Sequence, residues 1–189
     1  MKTVYIIHGY NASSNDHWFP WLKQQVEAIG HQCEIIHFDD SQHPEYGLWK
    51  HNLAEQIQSL NENVVIIAHS LGCLASLGFL SEALQGSKLF ALFLIAGFNR
   101  RLPTLPELNQ FIDQVSINDA SLRLSFEHRF LFFSNNDPFV PAPFSIQLGH
   151  LMNSQMVEVK NAGHFMASDG FSEFPQLWDK LSVLLKSAP

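Results

Sequence analysis

A three-layer α/β/α fold built on a mainly parallel sheet of about six strands is what the sequence predicts, and three features predict it. Strand-like apolar runs alternate with helix-like stripes along the whole chain, the pattern of a parallel sheet with helices on both faces. The run Val64-Val65-Ile66-Ile67-Ala68 is apolar throughout and mostly β-branched, which suits a strand buried on both sides. That run ends at His69-Ser70-Leu71-Gly72, where a serine is flanked two positions away by the small residues Ala68 and Gly72 and a helix-compatible segment follows at once.

The elements follow in order. Val4–Ile7 reads as a first strand. Trp18–Ile29 reads as a helix, because Trp18, Trp21, Leu22, Gln25, Val26 and Ile29 form a stripe at helical spacing, with Asn15 or Asp16 placed to cap it. Strands are expected near Glu34–Phe38, Val64–Ala68, Leu89–Ala96, Phe130–Ser134 and Met156–Val159. Helices are expected near Leu48–Leu60, Leu71–Leu84, Phe144–Leu151 and Phe174–Lys186. Residues 99–128 are the least regular part. Pro103 and Pro106 break any long helix there, a short helix near Glu107–Val115 is compatible, and the segment stands where such folds place a cap over the site. No linker, repeat or low-complexity tract divides residues 1–189, so one domain is the expected organisation.

Composition narrows the function classes. Apolar residues make up 46% and charged residues 15%, which is globular rather than disordered. The net charge is −7, and the longest basic run is Arg100-Arg101, so a nucleic-acid surface is not expected. The longest apolar run, Leu89–Phe98, is too short to span a bilayer. The opening residues lack the pattern of a secretory signal. The two cysteines, Cys33 and Cys73, show neither metal-binding nor redox spacing, which suits a reducing, cytoplasmic setting; Cys73 is expected in the core.

The serine at 70 sits in the layout of a nucleophile elbow, small-x-Ser-x-Gly between a strand and a helix. There a tight, strained turn presents the hydroxyl at the carboxyl edge of the sheet. A serine hydroxyl is a poor nucleophile without a base, and the base needs a group that holds its tautomer. In this arrangement the partners follow the serine as acid, then histidine. Asp137 follows the apolar run Phe130-Leu131-Phe132-Phe133, and His164 follows Met156-Val157-Glu158-Val159. Both therefore fall in loops at strand carboxyl ends, the edge on which a parallel sheet gathers its ligands. Taken singly, Asp137 before Pro138 is also an ordinary turn residue, and His164 is one of ten histidines; the order Ser70, Asp137, His164 is what carries the reading. Asp39 and Asp40 precede the serine, and Asp169 is close in sequence to His164, which makes them weaker candidates.

An oxyanion needs preorganised N–H donors. Leu71, directly after the serine, would supply one, and Tyr10 in the loop after the first strand the other, with Asn11 as its alternative. Trp18, Phe98, Phe139 and Phe165 are the candidate lining of an acyl pocket. His31, His37, His43, His51, His128 and His150 are scattered without metal-ligand spacing, and this chemistry calls for no metal or cofactor.

These residues resemble a known family. Ile7-His8-Gly9-Tyr10-Asn11-Ala12-Ser13-Ser14 and His17-Trp18-Phe19-Pro20-Trp21-Leu22 are similar to the opening of the small bacterial YdeN-like serine hydrolases, relatives of retinoblastoma-binding protein nine. Ala68-His69-Ser70-Leu71-Gly72-Cys73 matches that family's elbow, which often carries alanine at its first small position. Ala96-Gly97-Phe98, Leu102-Pro103-Thr104-Leu105, Gly163-His164-Phe165 and Gly170-Phe171 continue the likeness over nearly the whole chain. The resemblance implies a compact α/β-hydrolase fold with few strands, no large lid, a Ser-Asp-His triad and hydrolase chemistry. It implies no substrate.

The expected function is a serine hydrolase of carboxylesterase type acting on a small acyl compound. Peptidase, thioesterase or amidase chemistry would use the same residues. A module on this fold that holds a partner protein or an acyl ligand is the reading from another class; it has no need of all three groups.

Overall fold

The computed structural model describes residues 1–187. Six strands form one wholly parallel sheet: β1 (Thr3–Ile7), β2 (Gln32–Ile36), β3 (Val64–His69), β4 (Leu89–Ile95), β5 (Phe126–Phe133) and β6 (Gln155–Glu158), in the spatial order β2-β1-β3-β4-β5-β6. Seven helices connect and flank them: α1 (Phe19–Ala28), α2 (Tyr46–Gln56), α3 (Leu71–Ala83), α4 (Asn109–Gln114), α5 (Asp119–Ser125), α6 (Ala142–Leu151) and α7 (Pro175–Ser187). Alternate strand residues feed two cores. Val4, Ile6, Val65, Ile67 and Phe93 pack with Leu22 and Val26 of α1 and Leu177 and Leu181 of α7. Tyr5, Ile7, Ile66, Leu92 and Leu94 pack with side chains of α2 to α6 on the opposite face. This period-two division is what places helices on both faces of the sheet.

The strand order reverses between β1 and β3. From β1 the chain moves to β2 at one edge; from β3 it proceeds through β4 and β5 to β6 at the other. At such a switch point the loops leave the carboxyl ends in opposite directions and open a crevice. Ser70 stands at this point, with the loop after β1 beside it. Residue 71 to residue 80 of α3 are all buried, because the helix lies between the sheet and the layer formed by α2 and α5.

The carboxyl end of β1 passes very close to the start of α3. A methyl group on Gly72 would come within 2.3 Å of the His8 carbonyl oxygen and 2.7 Å of that of Ile7. A methyl group on Gly9 would meet Ser70 Cβ at 2.9 Å and the His69 carbonyl oxygen at 3.0 Å. Both obstacles at residue 72 are backbone, which cannot turn aside as a side chain can.

Several boundaries differ from the sequence reading. β2 begins and ends two residues early because it pairs with β1 residue for residue, Thr3 with Gln32 through Ile7 with Ile36. His37 and Phe38 leave the ladder, and Phe38 stacks on Trp49 with ring centroids 4.0 Å apart. β5 starts at Phe126, four residues before the expected Phe130, because its polar start still pairs with β4, where His128 lies edge-on to Phe90. Helix α5 was not expected; Asn118 caps it, accepting the Ser121 N–H at 3.1 Å. Neither Asn15 nor Asp16 caps α1. Its N-cap is Trp18, and Asp16 instead closes a turn by accepting from Ser13 N–H at 2.7 Å and Ser13 Oγ at 2.8 Å. Residues 99–128 contain a 3-10 turn (Pro106–Leu108), α4, α5 and the start of β5, the helical part packed on the α2–α3 layer through Leu108, Phe111, Ile112 and Leu122. Cys33 and Cys73 are buried free thiols.

Three histidines are enclosed in this frame. His8 lies against Phe38 and Trp49, His69 against Trp18 and Phe19, and His17 is partly covered between Phe19 and His69. Burial lowers the pKa of all three, that of His69 far below its ordinary value near 6.5.

Two outcomes are expected from these features. Gly72→Ala should lower the urea midpoint at unchanged slope, a loss of about 1–3 kcal/mol in unfolding free energy, since the intruding methyl must displace backbone. Gly47→Ala, at a helical site with open space around it, should be neutral or slightly stabilising. The second outcome concerns pH. Groups held neutral in the fold take up protons first in the unfolded chain, so stability is complete above about pH 6.5 and declines as pH falls below it. Urea midpoints measured from pH 8 to pH 5 check this; a midpoint constant over that range contradicts it.

Candidate active site

Ser70 connects β3 to α3 with φ 55° and ψ −125°, a region that a non-glycine residue occupies only when its surroundings impose it. Its own N–H continues the sheet ladder to the Ile95 carbonyl at 2.9 Å, and its carbonyl accepts from Cys73 N–H at 2.9 Å. Below the turn, the Cys73 thiol points to the Ala68 carbonyl at 3.1 Å, and burial pushes that thiol well above its ordinary pKa. It takes no part in the site.

Asp137 and His164 arrive on adjacent loops, those that follow β5 and β6. These loops are joined by a run of short side chains. Ser134 Oγ accepts from Ala162 N–H at 3.0 Å, Asn135 Oδ1 from Asn161 N–H at 2.8 Å, and Asn136 Oδ1 from Gly163 N–H at 2.9 Å. Asp137 continues the series: its Oδ2 lies 2.7 Å from His164 Nδ1. Its Oδ1 accepts from Phe139 N–H at 2.8 Å and Val140 N–H at 2.9 Å. Both side chains are buried, at 2% and 7% exposure. A carboxylate that already accepts two N–H groups is the acceptor for the imidazole as well. The proton therefore sits on Nδ1, and Nε2 keeps a free lone pair. The sequence reading passed over Ser134, Asn135 and Asn136. Their signal is a cluster of side chains that bond readily to local backbone, placed at a strand end.

The loop from His164 to Ala167 is held from three further directions. His69 Nε2–H donates to the His164 carbonyl at 2.8 Å, which places the His69 proton on Nε2. Asp169 Oδ2 accepts from His164 N–H at 2.9 Å and Met166 N–H at 3.1 Å; it anchors the loop rather than the ring. His17 Nδ1 accepts from Ala167 N–H at 3.1 Å, so His17 is bound in its neutral form. Neighbouring His164 adds to burial in keeping His69 and His17 uncharged. Among the described residues no group of three His, Cys, Asp or Glu side chains could hold a metal ion.

A cavity of about 160 Å³ opens beside Ser70 and His164, bounded by Tyr10, Asn11, Ala12, His17, His69, Leu105, Phe139 and Met166. Of the four aromatic residues expected to line it, Phe139 does, with its ring edge-on to His164 at 5.2 Å. The other three are corrected to core positions. Trp18 packs on Phe19 and Phe174, Phe165 stacks on Phe174, and Phe98 is buried in the opposite core. The aliphatic walls Leu105 and Met166 take their place. Residues 99–128 send Leu105 into the cavity, and the rest of that segment packs on the helical layer.

Leu71 N–H is the first of α3 and has no intrahelical acceptor. Among the described residues Tyr10 N–H is likewise uncommitted, whereas Asn11 N–H donates to the Ser41 carbonyl at 2.8 Å. Asp39 and Asp40 lie on the surface, paired with His37 and His43.

Comparison with known proteins identifies the family and the fold. The model of the serine hydrolase family matches residues 4–183. YdeN of Bacillus subtilis (strain 168), whose name assigns it to the hydrolases, is 39% identical over 181 residues, covering 96% of this chain and 95% of its own. The crystal structure of the B. subtilis ydeN gene product superposes with a TM-score of 0.94 at 37% identity, over 99% of this chain and 100% of that one. A YdeN-like hydrolase from Pectobacterium atrosepticum, at 18% identity, shares the fold with a TM-score of 0.73 over 97% and 90% of the two chains. An esterase, RhEst1 from a Rhodococcus species, does so at 13% identity with a TM-score of 0.68 over 100% and 91%. With its six-stranded parallel sheet and its strained serine between β3 and α3, the chain belongs to the serine hydrolase family and has an α/β-hydrolase fold.

Proposed function

We propose that this hydrolase acts on carboxylic esters or related acyl compounds through an acyl-enzyme on Ser70, with His164 as base and Asp137 as its partner. The observation that carries the reading is the 2.7 Å bond from His164 Nδ1 to an Asp137 carboxylate whose other oxygen is already engaged, in the cavity that also holds Ser70. That arrangement leaves His164 Nε2 as a lone pair and stabilises the ring once it is charged.

The steps follow from those positions. His164 Nε2 takes the hydroxyl proton as Ser70 Oγ bonds to the substrate carbonyl carbon. The carbonyl π electrons move to oxygen, where the N–H groups of Leu71 and Tyr10 receive the charge. Asn11, with its N–H spent on Ser41, is set aside as a donor. Collapse of this adduct breaks the bond to the leaving group, which departs with the proton from His164. Water then attacks the acyl carbon, gives its proton to His164, and the acid is released as Ser70 recovers its own. Donors already in place need no reorganisation as the charge develops, and each contributes about 3 kcal/mol to a typical oxyanion site.

Among the described residues no helix is long and apolar enough to cross a membrane. Two buried free thiols suit a reducing compartment, and we place the protein in the cytoplasm, working as one domain.

Intact-mass analysis after treatment with a fluorophosphonate should give a single adduct on the wild type and none on Ser70→Ala, with the variant keeping the wild-type unfolding midpoint. A folded wild-type protein that stays unlabelled overturns the assignment. Asp137→Asn should lower kcat by roughly a thousandfold or more with little change in KM, because the amide can hold the imidazole in the wrong tautomer; near-normal turnover would remove Asp137 from the mechanism.

A further inference from the structure

The cavity beside Ser70 defines an acyl group by its chemistry and by its size. Its apolar wall is made by Ala12, Leu105, Phe139 and Met166, and among the described residues no Lys, Arg, Asp or Glu borders it. A carboxylate or an ammonium group on the acyl part would leave water without a counter-charge, which is strongly unfavourable. At about 160 Å³ the cavity lies below the roughly 300–1,000 Å³ of sites that enclose drug-sized ligands, a size that suits a short acyl group. The acyl part stays bonded to Ser70 Oγ, at the edge of this cavity, after the leaving group has gone.

Two of these walls come from separate parts of the chain and are joined. Thr104 Oγ1 donates to the Phe139 carbonyl at 2.6 Å, which ties Leu105 to Phe139. Phe139 is itself held by its N–H bond to Asp137 Oδ1. The width of the cavity is thereby referred to the residue that orients the base. Met166 is held by its own N–H bond to Asp169, the residue that also receives His164 N–H.

We infer that the substrates are esters of short, uncharged, apolar acids of about four to six carbons, and that Leu105, Phe139 and Met166 set this limit, with the Thr104–Phe139 bond holding the first two in place. This inference rests on the acyl-enzyme reading above. Each methylene buried up to the limit should raise kcat/KM about fourfold, and those beyond it should lower it.

The test is a series of p-nitrophenyl esters from acetyl to dodecanoyl, run on the wild type, Leu105→Ala, Met166→Ala and Thr104→Val. Wild-type kcat/KM should peak at four to six carbons and fall at least tenfold by ten. An acyl group of the same length ending in a carboxylate should be cleaved at least tenfold more slowly than its apolar counterpart. Leu105→Ala and Met166→Ala should each raise the ratio of octanoyl to butanoyl turnover at least fivefold, chiefly through KM, and Thr104→Val should raise it less. Met166→Leu, which restores the bulk, should return the ratio to the wild-type value. A profile that is flat or rising to twelve carbons, or one that the wall variants do not move, overturns the inference while a fluorophosphonate adduct on Ser70 leaves the hydrolase reading standing. Absence of both the adduct and all ester turnover overturns both.

Discussion

The close passage of β1 beneath the Ser70 turn is the constraint on which the remaining geometry rests. The backbone at Ile7 and His8 and the backbone at Gly72 are so near that only a hydrogen atom fits between them. This proximity holds the start of α3 against the carboxyl end of β1 and keeps residue 70 in a backbone conformation it would otherwise leave. It also brings the loop after β1 to the serine, so that a methyl group on Gly9 would meet Ser70 Cβ and Tyr10 lines the cavity with Ser70. The strain at Ser70 is therefore maintained by packing over the width of two strands, and the reversal of strand order between β1 and β3 supplies the room above it.

The base side of the site is built on a different principle. Ser134, Asn135, Asn136 and Asp137 each accept a hydrogen bond from the 161–164 loop, so two loops that belong to separate strands behave as one piece. His69, Asp169 and His17 then fix residues 164 to 167 from outside. Neutral His69 and His17 suit this role. A charged ring beside His164 would oppose any positive charge on that imidazole, and a protonated His17 could no longer accept from Ala167.

The alternation of elements, the buried β3 run and the order Ser70, Asp137, His164 were legible because each is a local pattern that ends at a strand terminus. The ends of β2 and β5 were not, because register with β1 and β4 decides where those ladders stop. Helix α5 escaped notice because it is short and has a single fully buried apolar residue, Leu122. The pocket aromatics show the limit most clearly. Phe165 directly follows His164, yet a φ of 59° carries its ring into the core against Phe174, while Phe139, two residues after Asp137, faces the cavity. Sequence distance treats these two residues alike; backbone conformation separates them. His69 and His17 were missed as supports because their partners lie 95 and 150 residues away.

The placement of β1 has a consequence for synthesis. This strand precedes the other five and lies inside the sheet, with β2 on one side and β3 on the other, and α7 completes the core that covers one of its faces. β1 can reach its final pairing only once β3 has been made, and the loop bearing His164 emerges long after Ser70 has been made. Domains tend to fold as units once their chain is available. Here that means Ser70 comes to lie beside His164 only after β6, the last strand of the sheet, has been made.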